Sequence, residues 1–183
     1  MHRPVARALA ALTLLGFAGC TPSLHDVIGR GDIERARAML AENPALAADT
    51  NALGKQPLQY AVMYKQLEAM EALVEAGADV NAADKTGMTA LQAAVVYAWP
   101  EGIRWLFAHG ADPEQRDHFG DLASHTAAIY GRGSVLDVLA DHGVSLTKPN
   151  NKGMTPLDLA RKYRGERTTQ RLESLIASRE APT

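Results

Sequence analysis

The chain has 183 residues, 46% of them hydrophobic and only 5% aromatic, with 19 basic against 21 acidic residues and a net charge of −2. A weakly acidic chain offers no electrostatic footprint for nucleic acid, and its single cysteine, Cys20, excludes a disulfide framework. The length suits one domain with a substantial core.

The first element is a leader. His2, Arg3 and Arg7 precede an apolar run from Ala8 to Ala18, the charged and apolar regions of an export signal. The run is shorter than the ~20 residues of a bilayer span, and no second such run follows. Phe17, Ala18 and Gly19 ahead of Cys20 resemble the lipobox of bacterial lipoproteins, with Phe17 in place of the usual leucine. That resemblance implies removal of residues 1–19 and lipidation of Cys20, with 20–22 as the acylated N-terminus. Several acyl chains at ~0.8 kcal/mol per buried methylene make a durable anchor. Thr21, where an aspartate would retain the protein at the inner membrane, implies the periplasmic face of the outer membrane. The alternative is ordinary signal-peptide cleavage, which leaves a spare thiol.

Beyond the leader, Gly54, Gly87, Gly120 and Gly153 are spaced 33 residues apart, as are Ala61, Ala94, Ala127 and Ala160 and then Leu73, Leu106, Leu139 and Leu172. A sustained period of this length means stacked supersecondary repeats. The units begin GKQPLQYAV, GMTALQAAV, GDLASHTAA and GMTPLDLAR, and their second halves include LEAMEALVEAGADVN and EGIRWLFAHGADPE. They resemble the ankyrin repeat. The resemblance implies an all-α solenoid of five helix-turn-helix repeats with short β-turn fingers, at 23–50, 51–83, 84–116, 117–149 and 150–178, followed by a tail at 179–183.

Local chemistry agrees with that pattern. Asp84 and Asp117 open turns in which Gly87 and Gly120 adopt left-handed backbone. The small alanines admit close packing of the first helix. Ala72-Leu73, Trp105-Leu106 and Val138-Leu139 face inward from the second helix, which ends at Gly77, Gly110 and Gly143. The first unit starts from Leu24 and is one residue longer than the rest. Only Thr21 and Pro22 separate Cys20 from it, a reach of ~7 Å, which sets the array close to the bilayer unless its first helix frays.

Repeat four departs from the pattern. Leu122, Ala123 and Ser124 stand where Thr, Pro and Leu are usual, so a hydroxyl takes the place of a buried leucine. The two readings are a degenerate repeat whose serine bonds a nearby carbonyl, and a unit loosened for induced fit, compatible with Gly131 and Gly133. In the last repeat Arg161, Lys162, Arg164, Arg167 and Arg171 form either the solvated face of a capping unit or a patch for an acidic partner or anionic lipid.

No nucleophile-and-base pair, metal-ligand spacing or phosphate loop is present in the sequence. His25 and His125 sit at the repeat's own histidine position, and His109 and His142 at helix ends. The expectation is a noncatalytic chain without cofactor or metal.

The tyrosines carry the functional signal. Tyr64, Tyr97, Tyr130 and Tyr163 keep the 33-residue step, at the end of each first helix, which in ankyrin proteins looks onto the concave groove. With adjacent helices ~8–10 Å apart they would form a ladder about 30 Å long. Met63, Val96, Ile129 and Lys162 precede them. Leu53 and Lys55, then Lys85 and Met88, then His118, Phe119 and Asp121 occupy the matching finger positions, and Trp99 is expected to extend the surface. Tyrosine gives large contact area at low rotamer cost and concentrates at interfaces. The alternative is that the rings stack on one another or cover helix ends.

The resulting expectation is a monomeric periplasmic protein-binding module, tethered to the outer membrane by its lipid and engaging a protein partner through the groove. The partner is a stress enzyme to be positioned, or a delivered toxin to be neutralised by an immunity protein. A purely structural envelope protein is the contrasting class.

Overall fold

The computed structural model describes residues 22–163 and 165–180. The expected leader, Cys20 and Arg164 lie outside them, so the expected lipidation of Cys20 falls outside the described residues. Ten α-helices follow in pairs among the described residues: α1 Leu24–Gly29 and α2 Ile33–Glu42; α3 Pro57–Met63 and α4 Leu67–Glu75; α5 Ala90–Val96 and α6 Pro100–Ala108; α7 Ala123–Ile129 and α8 Leu136–Asp141; α9 Pro156–Tyr163 and α10 Glu166–Glu180. The first helices pack in a row, α1 on α3, α3 on α5, α5 on α7 and α7 on α9. No helix among the described residues is long and apolar enough to cross a membrane.

The periodic positions make the core. Ala61, Ala94, Ala127 and Ala160 are fully buried, and so are Leu73, Leu106, Leu139 and Leu172. Each buried leucine contributes about 1.5–3 kcal/mol, and the alanines let successive first helices approach without a gap. Trp105 is half-buried against this core and stacks on His109, with ring centroids 3.6 Å apart.

The fingers repeat one turn four times. Asn51, Asp84, Asp117 and Asn150 each accept backbone N–H groups two and four residues on, for example Thr86 N–H at 2.8 Å and Met88 N–H at 3.1 Å on Asp84. The glycine inside the turn is required twice over. Gly87 and Gly120 have φ of +83° and +76°, and a Cβ on Gly87 would lie 2.6 Å from the His118 backbone nitrogen of the next finger. Adjacent fingers then bond directly, His118 N–H to the Thr86 carbonyl and Asn151 N–H to the Phe119 carbonyl, both at 3.1 Å.

The ends are capped. Ser23 and Asp26 form a reciprocal box on α1, and the Ser23 bonds hold the Asp26 carboxyl below its ordinary pKa. A first helix closed in this way is anchored at its entry rather than frayed. Thr155 and Asp158 repeat the device on α9. At the far end α10 ties back to α8 through Arg171–Asp137 and Arg179–Asp141, and to α9 through Arg161–Glu173. Two arginines of the expected basic patch, Arg161 and Arg171, are therefore paired, which favours the capping reading of that segment. Exposed pairs of this kind are each worth about 0–1 kcal/mol.

Repeat four is irregular for a visible reason. Gly133 stands in register with Leu67 and Pro100, which begin α4 and α6 at full length. Here a 3-10 turn, Gly133–Val135, precedes a six-residue α8 where α4 and α6 have nine residues each. Ser124 is fully buried, and its hydroxyl donates to the Ser145 carbonyl at 2.6 Å. The serine thus replaces a leucine's packing with a tether to the loop after α8. Ser124→Ala is expected to cost about 1 kcal/mol, and amide exchange across 131–137 is expected to exceed that at the starts of α4 and α6. Uniform exchange across the three units, measured by mass spectrometry, would contradict this.

Candidate binding groove

The groove lies between the finger turns and the first helices. Tyr64, Tyr97 and Tyr130 each cap their helix with nearly the same backbone, φ between −92° and −83°. The chain then turns through left-handed backbone at Lys65, Ala98 and Gly131. Identical backbone at each step gives the side chains one common direction, and the rings are 37–53% exposed along the row from Tyr64 to Tyr163. The ring contact found for Tyr64 is with Tyr60 of its own helix, at 6.3 Å. Among the described residues no ring contact joins two members of the row.

Two hollows of about 230 Å³ each open along this face. Lys55, Met63, Met88, Val96, Tyr97 and Tyr130 line the first, between repeats two and three. Phe119, Ile129, Lys152, Met154, Lys162 and Tyr163 line the second, between repeats four and five. Leu53 and Phe119 stand out from the finger tips at 66% and 58% exposure. Lys85 and His118 are exposed on neighbouring tips, with the Lys85 ammonium on the Ala52 carbonyl.

One expected groove residue is placed elsewhere. Trp99 is buried, so it does not extend the surface. In register with it, Gln66 and Arg132 hydrogen-bond the Ile28 and Val96 carbonyls of the preceding repeat, at 2.9 Å each. The indole instead packs over Gly102, where a Cβ would lie 2.1 Å from Trp99 Cε3. Gly102, unusual inside a helix, was the signal of that pairing. Asp121 is also buried but stays at the groove, lining the second hollow and accepting from Asn150 Nδ2 at 2.7 Å. Tyr60 is a groove residue that periodicity alone passes over, because it breaks the 33-residue register. It lines the first hollow, packs edge-on against His25 at 4.8 Å, and accepts a hydrogen bond from Asn51 Nδ2.

Behind the groove runs a polar ladder. Buried side chains at one register donate to the backbone of the next repeat: His25 to the Lys55 carbonyl at 3.0 Å, Gln59 to Met88 at 2.6 Å, Gln92 to Asp121 at 2.8 Å and His125 to Met154 at 3.2 Å. Gln59, Gln92 and His125 also accept from the backbone N–H at the start of their own helix. Because His125 Nδ1 accepts from Leu122 N–H, the ring proton resides on Nε2. Burial holds the His125 pKa below the ordinary histidine value, against the pull of the Asp121 carboxylate. Burial likewise raises the Asp117 carboxyl above its ordinary value. His109 and His142 turn Nδ1 onto the carbonyls of Trp105 and Val138 at 2.8 Å, closing α6 and α8. These histidines are engaged in holding backbone, and among the described residues no group of three His, Cys, Asp or Glu side chains is arranged to hold a metal ion.

The paired helices, finger turns and exposed groove define an α-helical repeat scaffold. Residues 24–117 match the family model of ankyrin repeats, in three copies; the chain belongs to the ankyrin-repeat family, whose repeats are generally noncatalytic scaffolds for protein partners. The match ends at the finger that opens repeat four. Inversin of Gallus gallus is similar over 81 residues at 31% identity, covering 44% of this chain and 7% of that protein. Inversin of Homo sapiens is similar over 75 residues at 33% identity, covering 40% and 7%. The chain therefore spans a small fraction of the length of these relatives, and the likeness concerns their repeats.

Proposed function

We propose that this chain is a noncatalytic binding module of the periplasm, held to the outer membrane by a lipid on Cys20, which engages one protein partner through the groove. The observation that carries the reading is the row of outward tyrosines beside two apolar hollows, held by a ladder of internal hydrogen bonds. Exposed aromatic side chains on a rigid frame are what a protein interface uses for anchors. The lipobox-like residues before Cys20 support the tether. The capped start of α1 supports a short link to the membrane, since little slack remains between Cys20 and Ser23.

Two measurements test this. Cys20→Ser is expected to move the protein out of the membrane fraction or leave an uncleaved leader; normal processing with unchanged outer-membrane fractionation rules out the lipid anchor. Affinity recovery from solubilised envelope, with the wild-type chain beside a Tyr97→Ala/Tyr130→Ala variant, is expected to yield one partner retained only by the former. Its identity separates a positioned stress enzyme from a neutralised toxin. Recovery of no groove-dependent partner leaves the structural envelope role.

A further inference from the structure

Lysine and glutamate are sorted by face in this solenoid, with six arginines accompanying the glutamates on the second helices. No glutamate stands on any of the four finger turns or five first helices, and no lysine stands on any of the five second helices. Nine of the ten glutamates belong instead to the second helices. Lys55, Lys85, Lys152 and Lys162 line or border the groove. Of the aspartates on these elements, Asp84 and Asp117 accept N–H groups inside their turns and Asp121, at the second hollow, accepts from Asn150, while Asp26 and Asp158 are exposed and cap α1 and α9. A partner approaching the two hollows meets Lys55, Lys152 and Lys162 beside apolar rings, against one carboxylate, that of Asp121, which is buried on Asn150.

We propose that the partner of the groove is an acidic protein segment bearing two apolar anchors. Its carboxylates would meet Lys55, Lys85, Lys152 and Lys162, and its anchors would seat in the two hollows. The hollows are two repeats apart, roughly 20 Å at ~8–10 Å per step. That spacing corresponds to about six residues of extended chain. Complementary charge sets orientation and rejects basic competitors, while the apolar seats hold the segment once it is docked. This inference rests on the reading of the groove as a protein-binding surface.

The test is selection of a displayed library of random peptides, about 14 residues long so that they span both hollows, on the immobilised full chain, with counter-screening on the Tyr97→Ala/Tyr130→Ala variant. The expected survivors carry net negative charge and apolar residues about six positions apart. A synthetic survivor should lose at least about tenfold in affinity between about 50 and 300 mM salt, and as much on Lys55→Glu/Lys152→Glu, with Lys→Gln changes at the same sites falling between. Circular dichroism keeps loss of fold distinct from loss of binding. Tyrosine-dependent survivors that are neutral or basic would overturn the charge assignment and leave the groove standing. If no peptide is enriched, or binding ignores the tyrosines, both readings fall. Lysine-dependent binding to phosphatidylglycerol vesicles with no acidic peptide enriched would also overturn the proposal, in favour of a lipid surface.

Discussion

Replacing His125 with alanine is expected to destabilise the protein by about 3–5 kcal/mol. The imidazole is fully buried, so its removal leaves a cavity of the kind that costs about 2–5 kcal/mol. It also strands the Leu122 N–H, at about 1–3 kcal/mol where water does not reach it, and takes one of two bonds from the Met154 carbonyl, which keeps the Asn150 N–H at 2.9 Å. His125→Gln is expected to recover most of the loss, because Gln59 and Gln92 make the same pair of bonds in repeats two and three. Acid separates the two variants further. The folded-state pKa of His125 is lowered, so the unfolded chain binds the proton more readily. The histidine's contribution is intact above the unfolded value of about 6.5 and is lost as pH falls below it, by at most about 1.4 kcal/mol per pH unit. His125→Gln should flatten the stability profile between about pH 7 and pH 5. Equilibrium denaturation at several pH values measures both effects. Equal stability of wild type and His125→Ala, or a wild-type slope unchanged by His125→Gln, would show that the ladder does not hold repeats four and five together.

Replacing both Tyr97 and Tyr130 with alanine is expected to weaken partner binding by about 2 kcal/mol or more for each ring, roughly thirtyfold apiece. Both rings border the hollow between repeats two and three, and their removal would leave anchors of the partner without a wall. The cost to folding should be smaller, about 1 kcal/mol or less each, because the rings lie at helix ends outside the leucine and alanine core. Leu106 and Leu139 would remain fully buried beneath them. A thermal melt beside a titration with the recovered partner distinguishes the outcomes. Clear destabilisation with unchanged affinity would mean that the rings serve internal packing, and the tyrosine row would then carry no functional meaning.

What the amino-acid sequence determines by itself is the repeat. The 33-residue step of glycine, alanine and leucine requires one backbone geometry copied along the chain, because each residue type answers a local demand: left-handed turn, close helix approach, buried face. The same step places the four tyrosines on one edge, since identical backbone repeats an identical side-chain direction. Tertiary structure alone decides what each exception does. Ser124 is a misplaced polar residue in the sequence and a tether to Ser145 in the fold. Trp99 is an exposed aromatic by its loop position, yet Gly102 opens a space that takes its indole inside. Asp121 belongs to a finger but turns to Asn150 of the next one. His125 is a repeat-pattern histidine in the sequence, and in the fold it joins repeat four to repeat five. In each case the deciding partner lies in another turn, helix or repeat, and local periodicity says where a residue sits on its own unit without saying which neighbour will fill the space beside it.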